Sequence, residues 1–291
     1  MIPAMWKLSG LTLKGLAKRV WSQINQDDVF GRSAQLSYYF LLSLFPLLLF
    51  LMTLLGYFAE AGSQLRDSLI LYLSRVMPSS ALQLVHTTLD EVSKSRGGGK
   101  LSFGILAALW AASNGMGAIS ETLNIAYDVT ERRPWWKVRL VSVSLTISLA
   151  LMILSALIVV LLGGRLADFV TAASGFGNVF RITWKILQWP IALGFLFTTF
   201  SLIYYFAPDL RNPKWRWITP GSAAAVVLWL LISGALRLYL HFFNSYSATY
   251  GSLGALIILM LWFYLTGAAI LIGGEINSEI ESAARKAEKG T

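Results

Sequence analysis

Six runs of eighteen or more predominantly apolar residues recur along this chain, and they limit its fold more than any other feature. They occupy about 33–58, 101–119, 138–162, 182–206, 219–240 and 252–272. At about 1.5 Å per residue, a helix of that length crosses a hydrocarbon layer about 30 Å thick. Only 13% of the residues are charged, roughly half the share of about 25% in soluble domains. A bilayer as solvent explains that deficit better than a large dry core. The fold expected is therefore all-α: a polytopic integral membrane protein of six transmembrane helices plus amphipathic interfacial helices.

Three regions follow. Residues 1–29 read as a basic amphipathic N-terminal helix. Ile2, Met5, Trp6, Leu13, Leu16, Ala17, Val20 and Ile24 fall on one stripe, with Lys7, Lys14 and Lys18 opposite. Such a helix either lies in the membrane interface or packs on the membrane domain. Residues 30–280 form the six-span membrane domain. Pro46 in the first span and Pro190 in the fourth each remove a backbone donor and favour a bend. Residues 59–100 are too apolar for a plain loop and read as two short amphipathic helices ended by the flexible SKSRGGGK; they either cap the domain or cover the mouth of a cavity. Ala107, Ala111 and Gly115, with Ala108 and Ala112, give the second span a small-residue packing face. Thr219 is placed to cap the fifth span and Pro220 to begin it. Residues 281–291 are expected to form a polar, frayed cytoplasmic tail.

The net charge of +9 carries the orientation. With the N-terminus inside, the inside segments hold fifteen Lys and Arg and the outside segments eight. Both termini are accordingly expected in the cytoplasm. The positive balance is read as anchoring against anionic lipid rather than nucleic-acid binding.

Chemistry is harder to place. The absence of cysteine removes disulfides, thiolate metal sites and a Cys nucleophile, and the two histidines, His86 and His241, stand in no metal motif. No P-loop, GxGxxG or hydrolase constellation occurs. Neither a cofactor nor a metal is expected, and the chain is not expected to be an enzyme. What stands out is polarity near apolar runs, which is expensive there. Arg237 lies inside the fifth span and either snorkels outward or serves cargo. Glu275 and Glu279 project from one helical face past the sixth span and either pair with inside arginines such as Arg132 or Arg211 or contact cargo. Asn114, Glu121 and Asn124 cluster near the end of the second span, and Asn114 is expected to join helices by hydrogen bonding. Arg32 flanks the first span. Tyr250 sits in the uncharged turn 241–252.

The runs AQLSYYFLLSLFPLLLFL, ETLNIAYDVTERRPWW and above all APDLRNPKWRWITPG with YGSLGALIILMLWFYLTGAAILIGGEINSE resemble the YihY / virulence factor BrkB family over roughly residues 30–280. The positions that match are Ser43, Pro46, Leu123, Asn124, Pro208, Gly221, Tyr250, Gly251, Gly254, Trp262 and Glu275. The resemblance implies a six-span bacterial inner-membrane protein associated with lipid or lipopolysaccharide handling in the envelope. The family has also carried the label ribonuclease BN. A zinc-dependent ribonuclease needs clustered His and Asp ligands, and two isolated histidines do not supply them. Two functions stay open: a transporter or translocator of lipid or another amphiphile, with Arg32, Arg132, Arg237 and Glu275 at headgroups or coupling ions, and a scaffold docking a periplasmic envelope protein. Membrane lipids are the expected partner in both.

Overall fold

A computed structural model describes residues 11–57, 98–157, 159, 177–211, 213, 215–242 and 252–289. Among them the chain forms seven α-helices joined by turns, and no strand. These are α1 (Leu13–Gln26), α2 (Val29–Tyr57), α3 (Gly98–Ala126), α4 (Trp135–Leu157), α5 (Gly177–Phe206), α6 (Pro220–Phe242) and α7 (Ser252–Lys289). Four stretches among the described residues are long and apolar enough to cross a membrane: Trp135–Ala156, Ile182–Phe206, Pro220–Leu240 and Leu256–Ala287. They coincide with the third to sixth expected spans. The first and second expected spans fall on α2 and α3. Only 11% of the Pro220–Leu240 stretch is buried, and Leu231, Ile186 and Trp189 are exposed. Apolar surface left open along helices of this length suits lipid contact and would be unfavourable in water.

Three expectations are corrected. Gly98–Lys100 open α3 rather than ending a flexible linker, and α3 runs on to Ala126 instead of stopping at 119. The segment from 281, expected to fray, continues α7 as far as Lys289. Its reasons are local and tertiary: Arg285 lies 3.9 Å from Glu281 one turn earlier, while Ile280 and Ala283 are buried. The expected amphipathic helices of 59–97 and the turn holding Tyr250 and Gly251 lie outside the described residues.

The contacts divide the chain into two compact units. The first contains residues 1–43, 113–145 and 200–291. Here Thr12 caps α1, its hydroxyl accepting from the Gly15 N–H at 3.1 Å. The spacing of Leu16, Val20 and Ile24 turns one face inward, and that face packs against α7. The helix thus packs on the domain; Leu13 and Ala17, placed on the same stripe, are exposed.

The tightest joint of this unit is where α6 starts across α7. A methyl group built on Gly273 would lie 2.6 Å from the Gly221 carbonyl oxygen and 2.8 Å from Ala225 Cβ, and would collide with the Tyr204 hydroxyl. Only glycine admits so close a backbone approach. Thr219 caps α6 as expected, its hydroxyl accepting from Ser222 N at 3.0 Å. Asn277 of α7 ties the joint: its Oδ1 accepts from Gly221 N at 2.9 Å and its Nδ2 donates to Thr219 Oγ1 at 3.0 Å. Leu36, Leu123, Leu271 and Ile280 are fully buried in the same unit.

The second unit contains residues 44–112 and 146–199. Phe50 and Leu51 of α2, Leu109 and Ala112 of α3, and Ala150 and Leu154 of α4 are buried in the protein. In α5, Thr198 and Thr199 donate to the Gly194 and Phe195 carbonyls, which satisfies hydroxyls that the apolar surroundings would leave bare.

Candidate functional site

The site is built by two helix breaks and the final helix of the first unit. α1 stops at Asp27, and Asp28 takes a left-handed conformation (φ 49°) that turns the chain into α2. The Asp28 carboxylate then accepts from Gly31 N at 3.2 Å, capping α2. Arg32, one turn into α2, donates from Nε to the Asp27 carbonyl at 2.6 Å. α3 ends in a matching way: Asp128 is left-handed (φ 52°), Val129 N donates to Asn124 O and Asp128 N to Ile125 O. That pair of bonds is a Schellman ending with aspartate where glycine is usual.

These breaks bring Asp27 against Glu275 of α7. Both line a narrow crevice with Arg32, Thr122 and Leu271, and the crevice has no room for a water molecule. Glu275 is 0% exposed. Neither of its carboxyl oxygens, nor Asp27 Oδ2, meets an N–H or hydroxyl donor. Two carboxylate anions in one dry crevice repel each other; a carboxyl and a carboxylate sharing one proton do not. Burial pushes the Asp27 carboxyl above its ordinary range, and the nearby Asp128 charge adds to this, while the contact with Glu275 and the Arg32 charge oppose it. Glu279, one turn beyond Glu275, lies 3.7 Å from Arg19 of α1. Tyr127 completes the surroundings: burial pushes its phenol up, as does the charge of Glu281, against the pull of Asn277.

A second polar cluster fixes the turn between α3 and α4. Asn124 donates to Glu131 Oε2 at 2.9 Å and accepts from Asp209 N at 2.7 Å. Arg133 grips Glu131 through Nη2 and Nε at 2.7 and 2.8 Å. It also donates to the Ala207 and Phe206 carbonyls at 2.8 and 3.2 Å, closing the C-terminus of α5. Arg133 holds the Glu131 carboxyl down at about 2, with burial opposing and Asn124 assisting. The cluster joins the TERRPWW and APDL runs, so its chemistry is that of a clamp.

The residues singled out from sequence separate accordingly. Glu275 and Arg32 meet in the crevice. Asn124 belongs to the clamp, and Asn114 accepts from Arg139 Nη1 at 2.8 Å, the helix-joining role expected of it. Glu121 and Arg237 are exposed. Tyr250 lies outside the described residues. The expected pairing of Glu275 with Arg132 or Arg211 is not found: both arginines are exposed, and Arg132 reaches the clamp only through its backbone N–H, 3.0 Å from Asp209 Oδ2. Arg133, its side chain pointing to Glu131 and the end of α5, pairs with Glu131 and not with Glu275. Asp27, Asp28, Asp128, Glu131, Arg133, Asp209 and Asn277 escaped notice. The DD pair at a break between helical stripes was the one available signal for the first two.

Comparison with known proteins identifies the family. The family described as Virulence factor BrkB matches residues 20–291. The ribonuclease-like protein YfkH of Bacillus subtilis (strain 168) is 42% identical over 265 residues, covering 90% of this chain and 93% of its own length. UPF0761 membrane protein VP0125 of Vibrio parahaemolyticus is 30% identical over 282 residues, covering 90% and 81%. A UPF0761 membrane protein of Idiomarina loihiensis, IL2447, is 28% identical over 287 residues, covering 95% and 94%. No solved structure matches. The chain is an all-helical membrane protein and belongs to the virulence factor BrkB family.

Proposed function

We propose that this protein is a six-span protein of the bacterial inner membrane, both termini cytoplasmic, that moves a lipid or another amphiphilic component of the envelope. One observation carries the reading: Glu275, fully buried and without a donor, on an apolar helix long enough to span a bilayer. A buried ionisable group without a donor is costly to keep, and at the end of an apolar span it marks a functional position by default. A protein that only docks a partner has no need of that expense; a membrane protein that couples cargo to an ion or proton does. The exposed apolar flanks of α5 and α6 leave lipid at the helices' sides, which suits an amphiphilic cargo. The printed name of YfkH refers to ribonuclease likeness; for this chain we propose no such activity, since His86 and His241 stand far apart in sequence and neither lies in a metal motif.

The test is reconstitution of the purified protein in vesicles carrying a fluorescent phospholipid or a lipopolysaccharide precursor in one leaflet. Faster redistribution than in protein-free vesicles is expected, and faster again with a pH difference across the membrane. Redistribution at the protein-free rate under both conditions overturns the proposal and favours the docking scaffold. A reporter fused after Thr291 that is active only on the periplasmic face overturns the orientation.

A further inference from the structure

We infer that Asp27 and Glu275 together form a binding site for a single exchangeable proton, which fastens the N-terminal helix to the final helix. The site stands on its own geometry and does not depend on which cargo, if any, the protein moves. Glu275 presents two buried, donorless oxygens to a crevice whose other acid is Asp27, itself with a buried donorless oxygen. Among the described residues no three His, Asp or Glu side chains converge as metal ligands, and the crevice is too narrow for a hydrated cation. A proton is the ligand of the right size.

The surrounding charges set how that proton is held. From α2, Arg32 stabilises the ionised member of the pair. From the α3–α4 turn, Asp128 and the neutral Tyr127 phenol face it, and from α7 so does Glu279, itself engaged by Arg19 of α1. One cation within the crevice balances one carboxylate, so the neutral-plus-anion state of the pair is compensated. Loss of the shared proton breaks the O–H bond, delivers the proton to water, and leaves two carboxylates in one narrow crevice beside Asp128 and Glu279. Repulsion between two anions in a dry site drives Asp27, and with it the end of α1, away from α7. α1 is the element that can yield, for it is tied to α7 by one apolar stripe and by the ion pair of the exposed Arg19 with Glu279.

The chain lacks cysteine, so paired labels are easily placed. The full-length protein in lipid nanodiscs carries spin labels at Lys14→Cys on α1 and Lys286→Cys on α7, both exposed. Inter-label distances are measured across neutral to alkaline pH, and the protonated-carboxyl infrared band of the unlabelled protein is followed in parallel. The expected result is one distance at neutral pH and a longer, broader distribution at alkaline pH, with loss of a single protonated-carboxyl band over the same range. Glu275→Gln and Asp27→Asn each remove both changes, and Glu279→Gln keeps them. A pH-independent distance, or no protonated carboxyl in the wild type, overturns the inference without any need for the variants to fold. So does a pH response that survives both Glu275→Gln and Asp27→Asn.

Discussion

Replacing Gly273 by alanine tests the α6–α7 joint most directly, because the added methyl meets backbone that cannot rotate away. It would stand 2.6 Å from the Gly221 carbonyl oxygen, where ordinary contact begins near 3.4 Å. The helices must therefore part by roughly 0.8 Å, enough to forfeit a quarter to a half of the dispersion well for atoms across the interface. Overpacking of this kind costs about 1–3 kcal/mol, and separation also stretches the 2.9 Å bond from Gly221 N to Asn277 Oδ1. Helix propensity returns at most about 1 kcal/mol. The net loss expected is about 2 kcal/mol, which lowers the melting temperature of a chain of this size by about 4–8 °C. Gly234→Ala in α6 is the matched control, since nothing lies within 4 Å of a methyl built there; its melting temperature should be unchanged or slightly raised. Both variants are followed by tryptophan fluorescence during thermal unfolding in detergent. Equal melting temperatures for Gly273→Ala and Gly234→Ala would refute the close-approach argument.

Three further outcomes follow from the same geometry. Asn277→Ala strips the buried Gly221 N–H of its acceptor and Thr219 of a donor, and should cost about 1–3 kcal/mol in the same thermal assay. Leu123→Ala, at a side chain 0% exposed, should cost about 2–5 kcal/mol through the cavity it leaves. Glu131 has a carboxyl lowered from 4.5 to about 2 by Arg133, so its contribution is present above pH 4.5 and lost as pH falls through about 2. Glu131→Gln should flatten that acid limb of the stability curve, and an unchanged limb would remove the clamp's electrostatic role.

Hydropathy carried most of the fold, because the period and length of an apolar run are local properties. The stripe Leu16, Val20, Ile24 was legible in the same way, and so was the Thr219–Pro220 start of α6. Glu275 was visible as an acid closing an apolar run, but its partner was not. Asp27 lies in a polar stretch at the far end of the chain, and no local spacing links the two. The clamp has the same character: Asn124 and Asp209 are 85 positions apart, and Arg133 could be told from Arg132 only by where each side chain points. Asp28 and Asp128 adopt the left-handed conformation that sequence reading assigns first to glycine, so their roles in ending the helices were not read, although the N-terminal helix was bounded near residue 29. What sequence left unread was long-range polar pairing.

α7 has 38 residues and is therefore about 57 Å long, nearly twice a hydrocarbon layer of about 30 Å. Some 27 Å of it extends past the apolar layer as an unbroken rod. A tilt of about 10° within the bilayer would then swing the outer tip sideways by roughly 5 Å, close to one helical turn. The last helix is in this sense a lever with its fulcrum at the membrane surface, and the Asp27–Glu275 pair sits near the fulcrum, where a small displacement is amplified at the far tip.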